Sequence, residues 1–195
     1  RGGPGGGNRP ALRHDGLVVE GDDTNSRTEY LHVDAQGRPL SPAYRVTTQD
    51  KNGRFQIEKQ IFSDPDRNAL VLRVTITALK GDVTPYLMLA PHIANTGVDD
   101  RGRVTRDGFH AWEGDTHLFL KPSEAFEKAS VGFVGASDGL TDLKDGKLDW
   151  TYASTGDQAG NTMMTGALPR LRQSSRITRD FVIGFGATAR GAVQR

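Results

Sequence analysis

The sequence predicts an all-β protein, a large antiparallel sandwich of two sheets, and three observations lead there. After about residue 28 apolar and polar residues alternate along most of the chain. Turns rich in glycine, aspartate and proline separate the alternating runs. No stretch keeps a 3.6-residue period long enough for a substantial helix. Alternation puts every second side chain on one face, so each run reads as a strand with one buried side. Short strands punctuated in this way build a sandwich or a barrel, and 195 residues bury enough surface to fold as one such domain without metals or disulfides.

The elements follow in order. Arg1–Gly16 holds six glycines and two prolines and has no apolar period, so residues 1–27 read as a glycine-rich loop, linker or truncated N-terminal part. The run is not a phosphate loop, because no strand precedes it and no Lys-Ser/Thr pair ends it. The sandwich is expected over 28–195. Its first strands are expected at Glu29–Val33 and Tyr44–Thr48, followed by a hairpin at Asp50-Lys51-Asn52-Gly53. Next, Phe55, Ile57 and Ile61 alternate with Gln56, Glu58 and Gln60, with Lys59 the one charge on the apolar side. Asp64-Pro65-Asp66-Arg67-Asn68 is a turn whose proline presets φ. The cleanest alternation is Leu70, Leu72, Val74, Ile76 and Ala78 against Arg73, Thr75 and Thr77, with Val71 out of pattern.

Further strands are expected at Tyr86–Ile93, Phe109–Trp112, His117–Leu120, Ser130–Val134, Leu148–Tyr152, Thr162–Leu168 and Arg179–Phe185. The only helical candidate is a turn at Ser123–Lys128.

Composition excludes several classes. The 25 basic and 24 acidic residues are dispersed and leave a net charge of +1, so the basic stripe of a nucleic-acid binder is missing. There is no cysteine, which removes disulfide scaffolds, thiol nucleophiles and cysteine zinc sites. No apolar run approaches membrane-spanning length, and no membrane partner is expected.

Few side chains suggest chemistry. Ser137–Gly146 is dense in carboxylates and glycine, and Asp138, Asp142 and Asp145 form a candidate calcium loop. Against that, the spacing is not that of an EF-hand, and turn aspartates commonly bond their own backbone. His110 and His117 are expected on adjacent strands, facing each other across the turn at Glu113-Gly114-Asp115, without a third metal ligand. Gly135-Ala136-Ser137-Asp138-Gly139 has the spacing Gly-x-Ser-x-Gly but is read as only a loose echo of a nucleophile elbow, with no strand-to-helix transition expected after it. No two carboxylates are paired by the pattern as glycoside hydrolysis requires. Trp112 and Trp150 are the candidate sugar-stacking surfaces, although strand aromatics commonly belong to the core.

Several runs, in order over roughly residues 28–192, resemble the N-terminal domain of bacterial family 15 glycoside hydrolases, the glucoamylases and glucodextranases. They are Tyr44–Val46, Gly53–Lys59, Asp64–Asn68, Leu79–Gly81, Leu87–Gly97, Ala129–Leu143, Gly160-Asn161 and Ile183–Gly186. The Ser130–Gly139 run and the Asp64–Asn68 turn carry the most weight. The resemblance implies a supersandwich of the galactose-mutarotase-like type, packed in the same polypeptide against a catalytic (α/α)6 barrel that releases glucose from the non-reducing ends of α-glucans. None of the barrel's motifs occurs in the chain, so the resemblance assigns it no catalytic residue.

The expected role is therefore non-catalytic support or orientation of that barrel. The alternatives are an α-glucan-binding module and, more remotely, a sugar epimerase using His92 or His110 with Glu113. Two departures from the family pattern matter. The region before Glu29 is replaced by the glycine-rich stretch, and the chain ends at Arg195 just after its closing strand. The expectation is an excised domain with an open sheet edge that favours pairing with another copy. A periplasmic or secreted location follows from the family's polymeric substrates.

Overall fold

A computed structural model describes residues 17–93 and 97–188. The chain forms two antiparallel sheets. The larger has eight strands in the order β1-β2-β3-β4-β11-β8-β7-β6, and the smaller three, β5-β10-β9. In chain order the strands are β1 Thr24–Tyr30, β2 Tyr44–Asp50, β3 Phe55–Asp64, β4 Ala69–Ala78, β5 Tyr86–Leu89 and β6 Arg101–Thr105. They continue with β7 Gly108–Glu113, β8 Thr116–Pro122, β9 Lys128–Phe133, β10 Thr162–Ala167 and β11 Arg176–Gly186. The expected two-sheet sandwich is present.

Alternation is realised along β4, where Val74, Ile76 and Ala78 are buried while Arg73 is exposed. The hairpin at Asp50–Gly53 joins β2 to β3, with Gln49 opposite Gln56 and Gly53 at φ 70°, a conformation glycine adopts without steric penalty. Asp50 is buried in this hairpin. Its carboxylate accepts bonds from the Arg54 amide at 2.9 Å, Nε at 2.6 Å and Nη2 at 3.0 Å. The Arg54 guanidinium bonded to it holds that carboxyl below the usual carboxylate range.

The main core lies between the sheets. Phe109, Leu118, Leu120, Phe181 and Ile183 come from the large sheet and Val131 and Met164 from the small one. The Phe126 ring bridges Phe109 at 5.1 Å and Phe181 at 6.1 Å. A second cluster of Leu143, Leu148 and Ala167, with Leu17, Tyr86 and Met88 against it, covers the other face of the small sheet. A short helix α1, Gly139–Asp142, caps this layer.

The differences from expectation have local causes. The first strand begins at Thr24 and ends at Tyr30, so residues 24–27 belong to the sheet; their polar composition hid a strand exposed at six of its seven residues. β6 was not foreseen, since its Arg-Gly-Arg start carries no apolar alternation. Leu148–Tyr152 is no strand: Leu148 turns inward to the second cluster while the Val131 amide donates to the Tyr152 carbonyl. No helix forms at Ser123–Lys128; the helical turn sits instead at Gly139–Asp142, started by the Asp138 cap. Lys59, out of place on an apolar face, pairs at 2.7 Å with Glu20, a residue of the segment leading into β1. Of the N-terminal stretch 1–27, residues 1–16 lie outside the described residues.

Candidate functional site

Strands β6, β7 and β8 turn Phe109, Ala111, Leu118 and Leu120 toward the core. The intervening residues therefore share the outer face, and two register pairs, Arg103 with His110 and Trp112 with His117, set the cluster. The expected meeting of His110 and His117 occurs, with Nε2 of the first 2.9 Å from Nδ1 of the second. Arg103 Nε–H donates to His110 Nδ1 at 3.1 Å. That nitrogen is therefore unprotonated, and His110 carries its proton on Nε2, which donates to His117 Nδ1.

His110 is buried, at 4% exposure. Burial, joined by the Arg103 and His117 charges, pushes its pKa down to about 4. Trp112 stacks on His110 with ring centroids 4.9 Å apart, and the Arg103 guanidinium carbon lies 5.7 Å from the Trp112 ring centre. Both His110 nitrogens are engaged, by Arg103 and by His117, so His110 has no free nitrogen with which to remove a proton from a substrate.

The carboxylate loop is built differently. Asp138, 2% exposed, accepts from the amides of Gly135, Leu140 and Thr141 and from the Thr141 hydroxyl. Asp142 accepts from the Trp150 amide at 2.7 Å and Asp145 from the Lys147 amide at 3.0 Å. Each of the three expected calcium ligands thus orders a different piece of backbone. Among the described residues no three His, Asp or Glu side chains converge as metal ligands. The epimerase pairing is not assembled at His110, whose ring partners are Arg103 and His117.

Both candidate tryptophans are half-buried. Trp150 lies in the connection between α1 and β10 with Tyr152 beside it at 5.8 Å, and Tyr152 is 47% exposed. One group that sequence reading missed is Asp100, 1% exposed. Burial is the main cause of its raised pKa; Glu113 and Asp99 add to this, while the Ile93 amide and His92 work against it. Nothing in the polar run around Asp100 signals burial.

A shallow cleft of about 460 Å³ opens at the end of the small sheet, where Tyr86, Lys128, Lys147 and Arg170 are among its lining residues. The Lys128 ammonium in it is already bonded to the Leu148 carbonyl at 3.0 Å. In the large sheet, the outer face carries an apolar strip of half-buried side chains: Phe62 opposite Val71, Val71 opposite Val182, and Phe119 opposite Gly184. None of the four apolar side chains belongs to either core cluster.

With this geometry in view, the similarities to known proteins are specific. A glucoamylase of Clostridium sp. (strain G0005) is 29% identical over 182 residues, which is 90% of this chain and 24% of that protein. The crystal structure of a bacterial glucoamylase complexed with acarbose superposes with a TM-score of 0.76 at 25% identity, covering 89% of this chain and 25% of that one. The chain thus spans about a quarter of the length of these relatives. The family model described as glucodextranase, domain N, matches residues 12–195. The chain belongs to that family, the N-terminal β-sandwich domain of the bacterial glucoamylase and glucodextranase type.

Proposed function

We propose that this chain is the non-catalytic N-terminal domain of a glucoamylase-like enzyme, and that it supports and orients an (α/α)6 barrel of the same polypeptide. In this reading the barrel hydrolyses α-glucosidic bonds from non-reducing ends, outside the cytoplasm where polymeric glucans are met. The observation that supports it is the match of nearly the whole chain to one quarter of a glucoamylase. The strip of Phe62, Val71, Val182 and Phe119 on the outer face of the large sheet suits a packed neighbour, since apolar groups gain by leaving water.

The test is glucose release from maltooligosaccharides and isomaltooligosaccharides. The chain alone yields none, and catalytic release by it overturns the reading. In the full polypeptide, Val182→Lys buries a charge in the inter-domain contact and shortens the half-life of activity on heating; an unchanged half-life refutes this docking face.

The second reading, an α-glucan-binding module, is favoured by Tyr152 lying exposed beside Trp150, a pair that could stack on sugar rings. Titrating tryptophan fluorescence with the same oligosaccharides separates the two: a saturable change without glucose supports binding, and a flat titration removes it.

A further inference from the structure

The edges of the two sheets are treated unequally. β6, at one end of the large sheet, is covered by the segment after Trp150: the Val104 amide donates to the Ala153 carbonyl, and the Thr155 amide to the Gly102 carbonyl. β9 is covered by Tyr152, and β5 is only four residues long. β1, at the other end of the large sheet, pairs with β2 alone among the described residues. Its seven residues, Thr-Asn-Ser-Arg-Thr-Glu-Tyr, include no proline, glycine or lysine. Its register with β2 is uninterrupted by a bulge, so of the devices by which proteins commonly blunt an edge only charge is present, in Arg27 and Glu29.

The direction of its free groups can be read from its ends. The Leu31 amide donates to the Ala43 carbonyl, and the Lys51 amide to the Asp23 carbonyl. Odd-numbered positions thus turn their main chain toward β2. Thr24, Ser26, Thr28 and Tyr30 turn theirs outward.

We propose that this edge pairs with the β1 of a second copy of the chain, antiparallel about a twofold axis at Thr28, joining the two large sheets into one. Side-chain charge selects the register. With Thr28 opposite its own copy, Ser26 meets Tyr30 and Arg27 meets Glu29 of the other chain, twice by symmetry. Arg27 and Glu29 are then a non-hydrogen-bonded pair, the closer of the two antiparallel spacings. An axis at Arg27 would instead set two arginines face to face, an axis at Glu29 two glutamates, and an axis at Ser26 would place Glu29 against Asp23. An axis at Asn25 would also be complementary, Arg27 meeting Asp23, but it keeps only two outward pairs within β1, whereas the Thr28 register keeps three, which make about six main-chain hydrogen bonds. Both copies keep their inner and outer faces aligned, so Tyr30, 54% exposed, lies beside Ser26 of the other copy on the inner face.

Sedimentation equilibrium of the whole chain over a range of concentration tests this, with circular dichroism confirming that each variant folds. The wild type is expected to dimerise. Thr28→Pro deletes an outward amide and leaves the β1–β2 ladder intact, a position where an edge strand tolerates proline; it is expected to be monomeric. Arg27→Glu and Glu29→Arg each create like-charge pairs across the axis and should raise the dimer dissociation constant about tenfold. Glu29→Arg also exchanges the 3.5 Å ion pair of Glu29 with Arg45 for a like-charge contact within the chain, so both single variants are measured. The double exchange Arg27→Glu/Glu29→Arg restores opposite charges and should recover the dimer. A monomeric wild type, a dimeric Thr28→Pro, or a double exchange no tighter than the single variants overturns the proposal. So does a β1 edge found occupied by another segment of the same chain.

Discussion

His110 should make the domain lose stability in mild acid, beginning above the range where carboxylates ordinarily titrate. In the unfolded chain a histidine titrates near 6.5, whereas in the fold burial, the Arg103 cation and His117 hold His110 near 4. Between these values the unfolded state takes up a proton that the folded state refuses. Stability is therefore complete above about pH 6.5 and declines as pH falls toward 4. The gap, at about 1.4 kcal/mol for each pH unit, corresponds to about 3 kcal/mol, a large share of the roughly 5–15 kcal/mol typical of a domain. No discount for solvent applies, because the ring is 4% exposed.

The assay is urea unfolding followed by circular dichroism at pH 7, 6, 5 and 4, for the wild type and for His110→Gln. The glutamine can accept from Arg103 and donate to His117 as the imidazole does, but it does not titrate. The wild-type midpoint should fall steeply across this window while that of the variant stays flatter. Parallel curves would refute both the burial argument and the tautomer assignment built on Arg103.

Three further expectations follow from particular positions. Asp50→Asn removes the buried charge that Arg54 grips with three bonds and should destabilise by about 2 kcal/mol at pH 7, less than a fully buried pair because Arg54 is one-third exposed. The folded Asp50 carboxyl titrates below its unfolded value, so this contribution is present above about pH 4 and lost at lower pH; urea midpoints at pH 7 and 3 check it. Gly132→Ala places a Cβ 1.9 Å from the Ser137 carbonyl oxygen, a backbone atom that cannot swing aside, and should cost about 3 kcal/mol or more by thermal unfolding. Gly114→Ala meets nothing within 4 Å and has only its φ of 54° to strain, so a loss of about 1 kcal/mol is expected.

Strands with strong alternation were legible because one buried face is enough to write period two into the residues. β4 is the clearest, and β3, β8 and β11 follow it. β1 was misplaced because nearly all its residues face water and need no apolar pattern. β6 was missed because its inner face offers only Gly102, set tightly against Val131 and Thr162, and Val104, too little to write an alternation. The facing of His110 and His117 was readable from a short turn between two strands. Arg103, which fixes their protons, was not, because it arrives from β6. The loop at Ser137–Gly146 shows the same limit: its carboxylates could be read as metal ligands or as caps, and their bonds to backbone amides became visible only in three dimensions.

The sequence by itself determined the fold class, the order of most strands and the family, since alternation, turn residues and ordered motifs are local properties of the chain. The tertiary structure alone decided which strand ends the large sheet among the described residues, which aspartates are buried and where Trp112 and Trp150 stand relative to solvent. These depend on contacts between residues far apart in the chain: Arg73 with Asp180, Glu20 with Lys59, Gly102 with Thr155. No window along the sequence contains both partners of any of them, and the pairing of β4 with β11 across about half the chain is what brings the first of them together.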